Sequence, residues 1–214
     1  DLKASLNGII GLPQVLMMED LTDEQKELIK NIEESGRKML NKIDQSLELF
    51  KIETGKYEYY PEQVDALYVI CQVVDKYRSM WTAKDLFIQI YLDGRPLLEE
   101  EVFNIWSSEN LLESMLSHLF INAVEASPRG ERVNIDLIDS DPIVISISNK
   151  GAVPNSTREN FFDKYRTYGK TQGTGLGTYT AKLFANAMNY EIGMQTSDEE
   201  NSTCIKIYIP RQNK

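Results

Sequence analysis

Apolar positions recur every three or four residues through residues 1 to about 55, with no strand-like alternation. Leu2, Leu6, Ile9, Ile10, Pro13, Leu16 and Met17 carry them through a first helix, and the polar turn EDLTDEQ follows. Within that turn Thr22 and Gln25 form a capping box that starts a second helix. Leu28, Ile32, Met39, Ile43, Leu47 and Phe50 form its apolar stripe, shared by Gly36 and Ser46, with Glu, Lys and Asn on the other face. Two helices cannot cover such a stripe on both sides, so the pattern predicts a second copy and a dimeric four-helix bundle. KIETGKYEYYPEQ ends the second helix at Gly55 and leads into an extended linker stopped by Pro61.

From about residue 63 the pattern is mixed. VDALYVICQVVDKYRSMW, ENLLESMLSHLFINAVEAS and GTYTAKLFANAMN read as helices. LFIQIYL, RVNIDLI, PIVISIS and STCIKIYIP alternate as strands. The short turn DSD makes strands 133–138 and 143–148 antiparallel neighbours. The predicted class is α+β: a helical hairpin over 1–60, then an α/β sandwich over 61–214, one mixed sheet with helices on one face.

The 214 residues carry a net charge of −10, which argues against a nucleic-acid binder held by phosphate contacts. Cys71 and Cys204 are distant from each other and lack metal spacing, so they read as free thiols in a reducing compartment. The sequence shows no signal peptide and no apolar run of membrane length. It opens on Asp1 rather than Met, so it is expected to be cut from a longer protein whose upstream part could hold a sensor or membrane segment.

Three stretches carry candidate chemistry. In GKTQGTGLGTYTAKL, Gly173, Gly175 and Gly177 alternate just before a helix. Such a run cradles phosphates on free N–H groups, or is a flexible turn. It is neither a Rossmann fingerprint nor a P-loop. In HLFINAVEASPRG, Asn122 stands mid-helix, where Asn is a poor helix former. It is a surface accident or an amide oxygen offered to Mg2+. His118, the single histidine, lies one turn before it on the same face. In SISNKGAVP, a strand runs into Asn149, then Gly151 and Pro154. Asn149 is a turn residue or presents a polar group to a base edge.

In this order the stretches resemble the ATP-binding domain of sensor histidine kinases, within the GHKL superfamily that also holds the Hsp90, gyrase B and MutL ATPases. HLFINAVEAS resembles the N box, SNKGAVP a shortened G1 box, FFDKYRT the F box and GTGLG the G2 box; 155–172 would be the ATP lid. DLKASLN resembles the H box, His-Glu/Asp-x-x-x-Pro-Leu, from its second position onward. Asp1 aligns with the acidic residue that follows the phosphoacceptor histidine. The resemblance covers nearly the whole chain and implies the GHKL (Bergerat) ATP-binding fold.

It also implies an ATP-dependent protein histidine kinase, with ATP and Mg2+ as cofactors. A histidine expected immediately before Asp1 would take the γ-phosphate and pass it to an aspartate of a response regulator receiver domain. Asn122 would hold Mg2+. Gly173, Thr174, Gly175, Leu176 and Gly177 would cradle the phosphates, Lys170 and Arg166 would reach them from the lid, and His118 is a candidate phosphate contact. Asn149 would accept from the adenine amino group where relatives have Asp, and Gly151 would give the base close access. Asp1 would orient the acceptor imidazole. Homodimerisation through 1–60 and a cytoplasmic catalytic portion are further expectations, with membrane attachment only through an upstream segment.

The chain departs from the pattern in places. G1 is one residue short, Ser5 replaces the H-box Pro, and His118 replaces an Asn of kinases or the general-base Glu of hydrolytic relatives. Ala4 replaces a Thr or Asn that orients water for dephosphorylating the partner, so phosphatase activity is expected to be weak or absent. The alternative reading is a degenerate kinase-like module that binds a nucleotide or a partner without phosphotransfer. A GHKL ATPase ranks third, because of the helical hairpin and His118.

Overall fold

The computed structural model describes residues 2–98, 100–165 and 175–211. The chain divides into two compact units, 1–57 and 58–214.

The first unit is a helical hairpin. Helix α1 (Leu2–Leu16) carries Pro13 inside it, and α2 (Asp23–Glu53) is twice as long. Thr22 starts α2 as a reciprocal cap: its Oγ1 accepts from Gln25 N at 3.3 Å, and Gln25 Oε1 accepts from Thr22 N at 3.0 Å. Leu6 and Ile10, one turn apart, are buried, as is Ile29. The helices meet closely at Gly36, where a Cβ would lie 2.9 Å from Ile10 Cγ1. Gly55, at φ +67°, ends α2 in the left-handed region. Much of the apolar stripe stays exposed on this single hairpin, including Ile9, Leu16, Leu28, Ile32, Met39 and Phe50.

The second unit is an open-faced sandwich. In chain order it comprises β1 (Glu62–Asp65), α3 (Ala66–Lys76), α4 (Arg78–Ala83), β2 (Phe87–Leu92), β3 (Arg95–Pro96), β4 (Asn104–Ser107) and α5 (Glu109–Ala126). Then follow β5 (Arg132–Ile138), β6 (Ile143–Lys150), α6 (Asn155–Arg158), α7 (Gly177–Ala187), β7 (Glu191–Ser197) and β8 (Ser202–Ile209). Six strands form one sheet in the order β3-β2-β5-β6-β8-β7. The β2–β5 pair is parallel and the others are antiparallel, so the sheet is mixed as expected.

Alternation along β5, β6 and β8 puts Val133, Ile135, Leu137, Ile145, Ile147, Ile205 and Ile207 on one buried face. The apolar sides of α5 and α7, with Leu112, Met115, Leu119, Phe120, Ala181 and Phe184, complete that core. Cys71 and Cys204 are both free thiols. No helix among the described residues is long and apolar enough to cross a membrane.

Local differences from the sequence reading have physical causes. The stretch expected as one helix over 64–81 begins as strand β1, which pairs with β4 in a separate two-stranded ribbon. Asp65 ends that strand and caps α3, accepting from Leu67 N, Tyr68 N and Phe103 N. The helix then breaks at Tyr77 into α3 and α4. Strands β3, β4 and β7 were not anticipated, because each is short or lies at an edge and is fixed by distant pairing.

The end of α5 is held from outside the helix. Lys84 Nζ donates to Val124 O at 2.9 Å, Glu125 O at 2.9 Å and Ser127 O at 2.6 Å. A cation there meets both the unpaired terminal carbonyls and the negative end of the helix dipole. Gly130 N donates to Lys84 O, and Arg129 pairs with Asp85, so the α4–β2 turn and the α5–β5 loop are tied together. Lys84→Met is expected to lower stability by about 2 kcal/mol, the worth of charge-assisted bonds left without their donor. Chemical denaturation checks this; an unchanged midpoint contradicts it.

Candidate functional site

His118, Asn122 and Ala126 stand four residues apart on α5, so they line one side of the helix over about 12 Å. A glycine closes each end of this line. At the first end Gly177 opens α7, and a Cβ there would lie 3.8 Å from His118 Nδ1. At the other, Gly151 follows β6 at φ +116°, and a Cβ there would lie 3.0 Å from Ala126 O. Half-buried Asn122 lies between them.

At the Gly151 end, Asn149 sits on the helix-covered face of the sheet, paired with Val133 and Thr203 on the neighbouring strands, and is buried. Its Nδ2 donates to Lys150 O at 2.7 Å. A carbonyl only accepts, which fixes the amide: Nδ2 is the atom that faces Lys150 O, 3.7 Å from where a Cβ on Gly151 would lie, and Oδ1 makes no hydrogen bond among the described residues. Thr203 Oγ1 donates to Gly151 O at 2.7 Å and lies 3.2 Å from Thr196 Oγ1. Motif reading missed Thr196 and Thr203. Thr203 had a signal, since it is the polar member of the inward series Thr203, Ile205, Ile207, Ile209.

At the Gly177 end, the first intrahelical bond of α7 runs from Thr180 N to Leu176 O. The amides of Gly177 and Thr178, which precede Thr180, have no partner within the helix, and they make its N-terminus a place for an anion. The segment before α7 is braced on it. Tyr165 N donates to Gly175 O at 2.9 Å, and Thr178 Oγ1 donates to Phe161 O at 2.8 Å. Phe161 and Phe162 meet edge to face, centroids 5.0 Å apart, and Lys182 Nζ lies 5.5 Å from the Phe162 ring.

His118 packs its ring 6.3 Å from that of Phe184, and burial pushes its pKa below the ordinary value. The folded chain thus keeps the imidazole neutral where the unfolded chain protonates it. The unfolded state binds more protons there, so stability falls as pH drops below about 6.5. His118→Gln is expected to remove this part of the acid sensitivity. Melting curves at pH 7.5 and pH 5.5 test it, and an equal acid loss in the variant contradicts it.

The structure therefore brings His118, Asn122, Gly151 and Gly177 to one side of α5, with Asn149 beside Gly151 and with Gly175 and Leu176 leading into Gly177. Asp1, Arg166, Lys170, Gly173 and Thr174 lie outside the described residues, as does the side chain of Ala4. No cluster of three or more His, Cys, Asp or Glu residues able to hold a metal occurs among the described residues. A lone carboxamide at Asn122 fits Mg2+ that takes its other ligands from phosphates and water, not an all-protein cage. A cavity of about 730 Å³ is lined by Gln89, Asn134, Ser148 and Cys204 on the uncovered face of the sheet and reaches Asn149 and Thr203 at the end of the strands. It has neither a helix N-terminus nor a close glycine approach to α5, so the α5 line is the stronger candidate.

The family profile described as histidine kinase-, DNA gyrase B-, and HSP90-like ATPase matches residues 107–213, and that of the His Kinase A (phospho-acceptor) domain matches residues 1–55. The chain belongs to the sensor histidine kinase family. The hybrid signal transduction protein dokA of Dictyostelium discoideum is 26% identical over 94% of this chain and 12% of its own length. The autoinducer 2 sensor kinase/phosphatase LuxQ of Vibrio parahaemolyticus is 24% identical over 96% of this chain and 25% of its own. The chain thus spans a quarter or less of the length of these two relatives.

Solved structures agree on the fold. Full-length ShkA in complex with AMPPNP covers all of this chain and 44% of its own at TM-score 0.72 and 21% identity. The histidine kinase AdeS of Acinetobacter baumannii covers 98% of this chain and 97% of its own at TM-score 0.65 and 15% identity. The sensor histidine kinase core and the α+β fold expected from the sequence are both borne out.

Proposed function

We propose that this chain is the catalytic portion of a homodimeric sensor histidine kinase, with phosphotransfer and dimerisation on 1–60 and ATP binding on 61–214. The observation that carries the reading is the line along α5, bounded by a glycine at each end, with a free amide acceptor at one end and a helix N-terminus at the other. ATP lies along it, adenine at Asn149 and Gly151, and phosphates at Asn122 and the start of α7. Asn149 Oδ1 accepts from the adenine amino group, and Gly151 admits the ring plane close to the backbone.

The first-turn amides of α7, with Gly175 and Leu176 before them, hold the phosphate oxygens as preorganised donors. Neutral His118 flanks them. Gly173, Thr174, Arg166 and Lys170, outside the described residues, are assigned phosphate contacts on the family resemblance alone. Asn122 would hold Mg2+, which would supply neutralisation of the phosphate charge. The bond from the γ-phosphorus to the β–γ bridging oxygen breaks as a nitrogen–phosphorus bond forms on the acceptor imidazole, and ADP leaves. Asp1 orients that imidazole, the histidine being the residue expected before it. Transfer to a receiver-domain aspartate of a response regulator follows. The exposed apolar stripe of α1 and α2 makes the dimer interface. The catalytic portion works in the cytoplasm.

Labelling tests this. The protein extended upstream by its native residues is incubated with Mg2+ and γ-labelled ATP. Acid-labile, alkali-stable label supports the reading, whereas ATP binding without any label favours a module that binds and does not transfer. Base choice is a further expectation. A 6-oxopurine sets an acceptor against Asn149 Oδ1, so ATP is expected to bind at least ~10-fold tighter than GTP, the cost of an unmatched buried acceptor. Asn149→Leu is expected to erase that preference. Competition titrations check both, and a wild type indifferent to the base contradicts the assignment.

A further inference from the structure

We propose that Asn201, in the turn between β7 and β8, is a positioning residue for the nucleobase end of the site. The proposal rests on the nucleotide reading above. The loop that leaves β6 at Gly151 runs beyond the β6–β8 ladder, whose last pair is Lys150 with Ser202. Its backbone groups are nevertheless bonded. Gly151 N donates to Asn201 O at 2.7 Å, and Ala152 N donates to Asn201 Oδ1 at 3.0 Å. Val153 N donates to Thr196 Oγ1 at 2.9 Å, and Thr203 Oγ1 donates to Gly151 O at 2.7 Å. Three successive amides thus end on one hairpin, two of them on a single residue.

Asn201 suits this place for two reasons. Its φ of +46° lies in the left-handed region, which Asn enters more readily than most residues. That conformation lets both its carbonyl and its side-chain oxygen meet the neighbouring loop. The turn is in turn fixed to the loop's flanks: Arg158 binds both Val153 O and Asp198, and Lys150 Nζ donates to Glu200 O at 3.0 Å. Gly151 is already pressed against the end of α5. The grip of Asn201 on residues 151 and 152 therefore sets how far the loop stands from α5, and so the depth of the base pocket. The hairpin thus supplies the bonds that hold residues 151–153, which lie past the end of the ladder.

Two substitutions separate position from folding. Asn201→Gly keeps the left-handed turn and the carbonyl that holds Gly151 N, and removes the side chain, whose one bond to the loop is through Oδ1. Asn201→Asp keeps an acceptor at the same place. Calorimetric titrations of all three proteins with ADP and with inorganic tripolyphosphate, beside melting curves, form the test. Asn201→Gly is expected to weaken ADP binding ~5-fold, in line with the loss of one hydrogen bond, with tripolyphosphate binding and melting temperature nearly unchanged. Asn201→Asp is expected to restore ADP binding to within ~2-fold of wild type. The proposal is overturned by an Asn201→Gly protein that binds ADP like wild type, by equal losses for ADP and tripolyphosphate, or by an Asp variant as weak as the Gly one. A wild type that binds neither ligand overturns the nucleotide reading itself, and the positioning role with it.

Discussion

Asn122→Ala is expected to abolish detectable phosphotransfer and to weaken Mg-ATP binding by ~50-fold, while the protein stays folded. Alanine is a better helix former than asparagine, by a few tenths of a kcal/mol, so α5 is not weakened as a helix. What is lost is the amide oxygen midway between the base end and the phosphate end of the line. Contacts to charged groups are worth about 1.5–3 kcal/mol, and ~50-fold in affinity lies within that range. ATP binding without Mg2+ should change much less, because the amide acts through the ion. Calorimetry with and without Mg2+, together with a melting curve, checks this. A variant that binds Mg-ATP within ~3-fold of wild type refutes the role of Asn122.

Gly151→Ala has the second large effect, and it strikes both stability and binding. Two costs coincide at one residue. The φ of +116° is a conformation that L side chains rarely adopt, at about 1–3 kcal/mol. The new Cβ also meets Ala126 O at 3.0 Å, and this neighbour is backbone at a helix end. That end has little freedom to retreat, because Lys84 grips the carbonyls of Val124, Glu125 and Ser127. The expected loss is about 2–4 kcal/mol of stability, with ATP binding below detection. Gly193→Ala is the control. It lies in β7 with nothing within 4 Å of a Cβ, and it should cost less than about 1 kcal/mol. Denaturation midpoints of the two variants compare them directly, and equal midpoints contradict the account.

Much of this architecture was legible in the residues. The α2 stripe, the capping box at Thr22, the period of α5 and the alternation of β5, β6 and β8 each follow from local pattern. Asn122, Asn149, Gly151 and the glycines before α7 stood out because each residue type is odd for its place in a helix or strand. The pieces that escaped depend on pairing at a distance. β1 reads as a helix start until β4 is known to lie beside it. β7 is an edge strand with Gly193 in it and only Ile192 and Met194 as strong inward apolar residues. Thr203 stands out only as the polar member of an inward apolar series, whereas Thr196 and Asn201 look like ordinary hairpin residues whose meaning comes from the loop that the fold lays against them. Lys84 is hidden in the same way, because its partners are carbonyls some 40 positions away.

The proposed place of the nucleotide, along α5 between Gly151 and Gly177, is open to direct test. The most direct measurement is an NMR titration of the isotopically labelled chain with Mg-ATP, following backbone amides and the side-chain amides of its Asn and Gln residues. The largest shifts are expected at Asn122, Asn149, Gly151 and Gly177, with Gln89 and Asn134 on the uncovered face of the sheet unmoved. Shifts confined to Gln89, Asn134 and Ser148, with the α5 line silent, would place the nucleotide on the wrong side of the sheet for this account and contradict it.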